Sequence, residues 1–248
     1  MDLSKVGSMA AKNGFQNERD VAAKFNNWKE DGDVNNWLTI MGYNTEDIQY
    51  VEADVVSGYK VDLNVVVKIK VKDVVDTENI QVKLVSGTTG KNQVDKRWLG
   101  KYKQMWSMPD KVCTLLKHFT GQLKPYRKDV KDDRRMFLNE FTDEERDLVL
   151  DWFRRNKAMV VSDILKGKGE FATEWVLVTQ KLSSEVKWAL KDIGTVMKHY
   201  SEGDVRMSPR GSISLGRIGI QRKGGDSGRN TAQMLQFHIN PLGLFNIA

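Results

Sequence analysis

Val61-Asp62-Leu63-Asn64-Val65-Val66-Val67, followed after a polar connection by Ile80-Gln81-Val82-Lys83-Leu84, decides how this chain is read. Both runs are β-branched and apolar enough for strands, yet they carry a carboxylate, an amide and an amine where packing alone favours none of them. Side chains alternate faces along a strand, so Gln81 and Lys83 share one face and Ile80, Val82 and Leu84 the other. With residues 73–79 as a hairpin connection, the strand carrying Asp62 runs antiparallel beside the second strand and Asp62 reaches the same polar patch. A carboxylate and an amide oxygen are hard ligands that suit Mg²⁺, and a neighbouring lysine supplies charge or proton transfer for phosphate chemistry. The competing reading is a solvated sheet face, on which glutamine and lysine are ordinary.

Outward from this pair, residues 14–28 place Phe15, Val21, Ala22, Phe25 and Trp28 at helical spacing, with Glu18 on the polar face. A shorter helix is expected over 34–41 and strands over 48–56, 61–71 and 79–85. Further on, periodicity predicts helices over 93–106, 111–119, 143–156, 157–165 and 184–200, a buried strand over 171–180, and strands over 211–221 and 233–239. Thr142-Asp143-Glu144-Glu145 reads as a capping box. Residues 126–135 read as a surface loop. Trp98, Trp106, Trp152, Trp175 and Trp188 are expected in the core.

The order of helix, three-strand meander and the spacing Asp62, eighteen residues, Gln81, one residue, Lys83 resembles the PD-(D/E)XK nuclease superfamily. Gln81 stands where that superfamily has a second acidic residue, a departure shared by its MspI-like branch of type II restriction endonucleases. Gly58-Tyr59-Lys60, Gln81-Val82-Lys83-Leu84-Val85-Ser86, His118-Phe119-Thr120-Gly121, Ser208-Pro209-Arg210-Gly211-Ser212 and Gln221-Arg222-Lys223-Gly224-Gly225-Asp226 are similar to the HinP-type family that cuts GCGC. Val61 departs from it, since a hydroxyl residue usually precedes the catalytic Asp.

The resemblance implies an α/β fold, a single domain with a mixed central sheet flanked by helices. A catalytic core is expected mainly over 14–106, a helical region over 107–200 and a DNA-recognition region mainly over 201–240. It further implies a Mg²⁺ site formed by Asp62, Gln81 and the Val82 carbonyl, with Glu18 as a further ligand or water contact. Lys83 would position or help deprotonate the attacking water, giving 5′-phosphate and 3′-hydroxyl ends. Arg210, Ser212, Gln221, Arg222 and Lys223 are expected at DNA in a basic, glycine-rich segment that holds six basic residues between 206 and 229. Asn92 and Gln93 are candidate base readers, and Lys91, Lys96 and Arg97 candidate phosphate contacts.

Composition agrees without deciding. A formal net charge of +6 permits a polyanionic partner. The single cysteine, Cys113, and the scattered His118, His199 and His238 offer neither a disulfide nor a zinc cluster, as in a reducing cytoplasm. No stretch approaches the roughly 18 apolar residues of a membrane span, and the N-terminal residues lack the apolar run of a secretory signal. The resemblance, rather than composition, makes double-stranded DNA the expected partner, with a homodimer as the usual solution at a palindromic target. A structure-specific repair nuclease of the same superfamily and a noncatalytic DNA-binding module are the rivals.

Overall fold

The computed structural model describes residues 3–57, 63–225 and 229–247. Asp62, with Gly58, Tyr59, Lys60, Val61 and Asp226, lies outside the described residues. The chain opens with α1 (Leu3–Asn26) and α2 (Gly32–Ile40), which pack on β1 (Ile48–Ser57), β2 (Leu63–Val71) and β3 (Val74–Val85). These three strands form an antiparallel meander. β2 and β3 are joined by Lys72-Asp73 alone, so residues expected in a longer connection belong to β3. Antiparallel strands can close through two residues.

Beyond β3 the chain leaves this sheet for β4 (Asn92–Arg97), α3 (Leu99–Trp106), α4 (Asp110–Thr120), α5 (Asp143–Arg155) and α6 (Lys157–Leu165). It then returns as β5 (Trp175–Lys181), parallel to β3, and β6 (Val186–Asp192), antiparallel to β5. A parallel neighbour requires such a crossover, and the first sheet is therefore mixed, in the order β1-β2-β3-β5-β6. After α7 (Ile193–Ser201) come β7 (Val205–Met207), β8 (Ile213–Leu215), β9 (Ile218–Arg222) and β10 (Leu235–Ile239). They build a second sheet in the order β4-β10-β9-β8-β7, which the sequence reading did not foresee.

Two cores result. Ile80, Val82 and Leu177 on one face of the first sheet pack under α1 and α2 with Val21, Phe25 and Trp37. Its other face, through Val85, Val176 and Val178, shares a larger core with Phe237, Ile220, Trp106, Leu116 and Phe153. The first sheet is the wall between them.

Several expectations need correction. Residues 93–97 form a strand and not the first turns of a helix, because β4 finds its partner in β10. Likewise 186–192 is a strand paired with β5, and only 193–201 is helical. Such pairing overrides local periodicity. Phe15 is 43% exposed, whereas Glu18, expected on the polar face, is 7% exposed. The buried stripe of α1 runs Glu18, Val21, Ala22, Phe25, an i, i+3, i+4, i+7 set. Trp106 and Trp152 are core residues, while Trp98, Trp175 and Trp188 are half-buried. The Thr142–Glu145 capping box forms as read, and residues 126–135 are mostly exposed loop.

Candidate functional site

Gln81 and Lys83 are 3% and 5% exposed. Their cross-strand partners on β5 are Val176 and Val178, which belong to the larger core, so both polar groups point toward the second sheet. The expectation of a solvated face does not hold. Burying an ammonium group is costly unless it meets an acceptor, and Lys83 Nζ lies 3.5 Å from the Gln93 carbonyl oxygen on β4. Six residues separate the end of β3 from the start of β4. The Asn92 side chain closes the junction by donating to the Leu84 carbonyl at 3.0 Å.

Glu18 sits on α1, which packs across β1, β2 and β3. Beside it Asn17 is buried, and its Nδ2 has no hydrogen-bond partner among the described residues. On β2, Asn64 pairs with Gln81, and Leu63, the first described residue of that strand, follows Asp62 in sequence. Among the described residues no three His, Cys, Asp or Glu side chains group as a metal site. Gln81 offers an amide oxygen and Val82 a carbonyl on β3, while the Glu18 carboxylate belongs to the α1 stripe that packs on the sheet face opposite Gln81. All are hard oxygen ligands, which fits a small divalent cation better than a thiophilic one.

The second sheet presents a polar row. A register shift in the β4–β10 ladder leaves Val94 as an extra residue, so Gln93 pairs with His238 and Lys96 with Gln236. Bulges of this kind re-aim side chains. From there the row continues His238, Gly219, Ser214, Arg206 across β10, β9, β8 and β7, and Gln236 pairs with Gln221. The alternate residues Leu235, Phe237, Ile239 and Ile218, Ile220 are buried on the opposite face. Gln93 and Gln221 therefore lie on one face, and Gln221 Oε1 accepts from Lys91 Nζ at 3.0 Å. Lys223 extends β9 by donating its backbone N–H to the Met234 carbonyl.

Other expected residues sit differently. Arg222 falls on the opposite face from Gln221 and donates through Nε to the Ala232 carbonyl. Arg97, expected at a phosphate, is half-buried and held by Asp95 at 3.2 Å and Asp163 at 3.5 Å. Arg210 is exposed at the tip of a tight turn in which Ser212 N donates to Ser208 Oγ.

Gln236, His238, Ser214 and Arg206 were missed as members of this face. Their signal is the alternation in Leu235-Gln236-Phe237-His238-Ile239. The imidazole of His238 lies over Gly219, where an added Cβ would come within 2.3 Å of the ring. Burial, and next the Lys91 ammonium, push His238 down to about 4. A histidine titrating lower folded than unfolded binds fewer protons in the native state between the two values, so stability falls as pH drops from about 6.5 toward 4. Replacing His238 with asparagine should flatten that part of the melting-temperature profile; an unchanged slope would refute the assignment.

The sequence matches the family model of the R.HinP1I restriction endonuclease over residues 41–245. That span includes Gln81, Lys83 and the whole second sheet, while Glu18 precedes it. No curated protein matches the sequence. Among solved structures, restriction endonuclease MspI in complex with its cognate DNA is similar, with a TM-score of 0.64 and 12% identity, covering 95% of this chain and 92% of that one. At that identity the likeness concerns the fold. No helix among the described residues is long and apolar enough to cross a membrane. With its mixed sheet, buried Gln81 and Lys83 and matched span, this chain belongs to the R.HinP1I restriction endonuclease family and is a type II site-specific deoxyribonuclease.

Proposed function

We propose that the enzyme is Mg²⁺-dependent, cleaves double-stranded DNA at a short palindrome, GCGC by the family resemblance, and leaves 5′-phosphate ends. The observation that supports this most is the burial of Lys83 and Gln81 on one face of β3, with Lys83 against the carbonyl of Gln93. An amide and an ammonium in such a place are unfavourable for packing and useful for phosphate hydrolysis.

The roles divide as follows. Asp62, Gln81, the Val82 carbonyl and Glu18 would hold the cation, which when bound supplies positive charge against a nonbridging oxygen of the scissile phosphate. Lys83 orients the attacking water and either takes its proton or balances the negative charge of the resulting hydroxide, while the phosphorus–O3′ bond breaks and O3′ takes a proton from solvent. Gln93, Lys96, Gln221, Lys223, Gln236 and His238 face the base edges from the second sheet. Arg210 and Ser212 meet the backbone. Asn92 holds the β3–β4 junction and lies beside the groove. A cytoplasmic location accords with the free, buried thiol of Cys113. A two-fold target suits a homodimer, and the mass of the complex on one duplex decides between one protomer and two.

Plasmid digestion with and without Mg²⁺, followed by sequencing of the ends, tests this reading. Discrete fragments with 5′-phosphate termini at GCGC support it; fragments at another sequence would overturn the target, and junction-dependent nicking would favour a repair nuclease. Lys223→Ala should cost about 1–3 kcal/mol of discrimination at one base pair. Equal weakening on all sequences would make Lys223 a phosphate contact instead.

A further inference from the structure

Between the turn after β9 and the loop that follows α4 lies a cavity of about 540 Å³, lined by Arg134, Arg135, Arg222 and Arg229 against one carboxylate, Asp132. Asp132 is largely committed to Arg134, which binds both of its oxygens at 2.8 and 3.1 Å. Arg135 stands 3.6 Å from the same carboxylate, and its Nε has no hydrogen bond among the described residues although the side chain is only 20% exposed. The Arg135 guanidinium is laid flat on Phe137, 4.1 Å from the ring centre, which fixes its direction. Burial and then the neighbouring Arg222 lower its proton affinity from the ordinary arginine value.

Folding gains little from gathering four guanidinium groups around one carboxylate, where like charges repel, most of all at Arg135, whose side chain is mostly buried. A single anion of phosphate size would supply the missing acceptor and balance the charge, and planar guanidinium forks suit phosphate oxygens. The wall opposite is Gly224-Gly225, both at positive φ, +66° and +61°, with nothing within 4 Å of the position a Cβ would take at either. These glycines keep the backbone turned and leave the mouth open. Arg222 follows Gln221 but leaves β9 on the other face of the sheet, so the opening sits at the end of the strand that carries Gln221, where a phosphate beyond the polar row would be seated.

We infer that the cavity is a phosphate subsite that seats one backbone phosphate of the DNA duplex, with Arg135 and Arg222 as its floor. The inference rests on the nuclease reading and adds Arg134, Arg135 and Arg229 to the DNA-binding surface.

Metal-free binding of wild type, Arg135→Gln and Arg229→Gln is measured on a GCGC duplex and on a duplex of unrelated sequence, over a range of salt. Arg229 is exposed, so its variant cannot lose binding through a collapsed core, and thermal melts confirm the fold of both. Each variant should bind both duplexes roughly tenfold more weakly, with a slope of log affinity against log salt shallower by about 0.9. A duplex with a neutral methylphosphonate at the seated position should lose affinity for wild type but not further for Arg135→Gln. Unchanged affinity and slope in both variants would overturn the subsite, and so would a loss confined to the GCGC duplex, which marks a base contact. Stabilisation of wild type by inorganic phosphate with no change in DNA affinity would likewise overturn it, as a site for free anion only. If wild type binds neither duplex, the nuclease reading fails and the subsite with it.

Discussion

Replacing Lys83 with alanine should lower the rate of DNA cleavage by about 10²–10⁴-fold, the usual worth of a positioned proton-transfer group, while sequence-specific binding persists. The expectation follows from placement. The ammonium is buried on β3 and contacts the Gln93 carbonyl, whereas the polar row proposed to face the bases belongs to the second sheet. Removing a buried charge and leaving its acceptor alone also alters packing, so Lys83→Met, which keeps most of the side-chain volume, is the matching control. Both variants should bind a GCGC duplex as wild type does in a metal-free gel shift and fail to cut it. If specific binding falls in step with cleavage, Lys83 serves recognition and the chemical role is wrong.

Phe237→Ala should destabilise the protein by about 3–5 kcal/mol, the cost of deleting a buried aromatic ring. Phe237 is fully buried on β10, between β4 and β9, with its ring edge-on to Tyr102 at 5.5 Å and to Trp106 at 5.9 Å. Trp106 in turn donates to Asp163, so the ring helps seat α3 and α6 against the second sheet. At this chain length the melting temperature should fall by roughly 6–20 °C. Because Gln236 and His238 flank Phe237 and face the other way, discrimination between target and near-target sequences should also decline below the melting transition. A fall under 1 kcal/mol would show that the core closes around the lost ring.

Where backbone pattern and chemistry agreed, the sequence was legible. The alternation of Ile80-Gln81-Val82-Lys83 put two polar groups on one face, and the structure buries both there. Glu18 was noticed but set on the wrong side of α1, since the spacing of Phe15 outweighed the tighter set formed with Val21, Ala22 and Phe25. The misread helices at 93–97 and 186–192 have different partners. Each contains apolar residues at spacings that fit both periods, but β4 is a strand because of distant β10, whereas β6 pairs with its neighbour β5 across the short turn Leu182-Ser183-Ser184-Glu185. Nothing local announces a ladder closed across some 140 residues. The second sheet, and with it Gln236 and His238, stayed hidden for the same reason. The arginine cavity joins a loop near residue 134 to a turn near 224, and charge counting along the chain treats such segments separately.

One consequence lies in the brief passage from β3 into β4. With Asn92 fastened to Leu84 and Lys83 resting on the Gln93 backbone, the strand proposed to read bases and the strand proposed to cut are tied together across the six residues between them. On the proposed roles, a strained fit of Gln93 at an incorrect base pair passes through its own carbonyl to the Lys83 ammonium. Given those roles, an ill-matched sequence would disturb the alignment of the reacting water as well as weaken the grip.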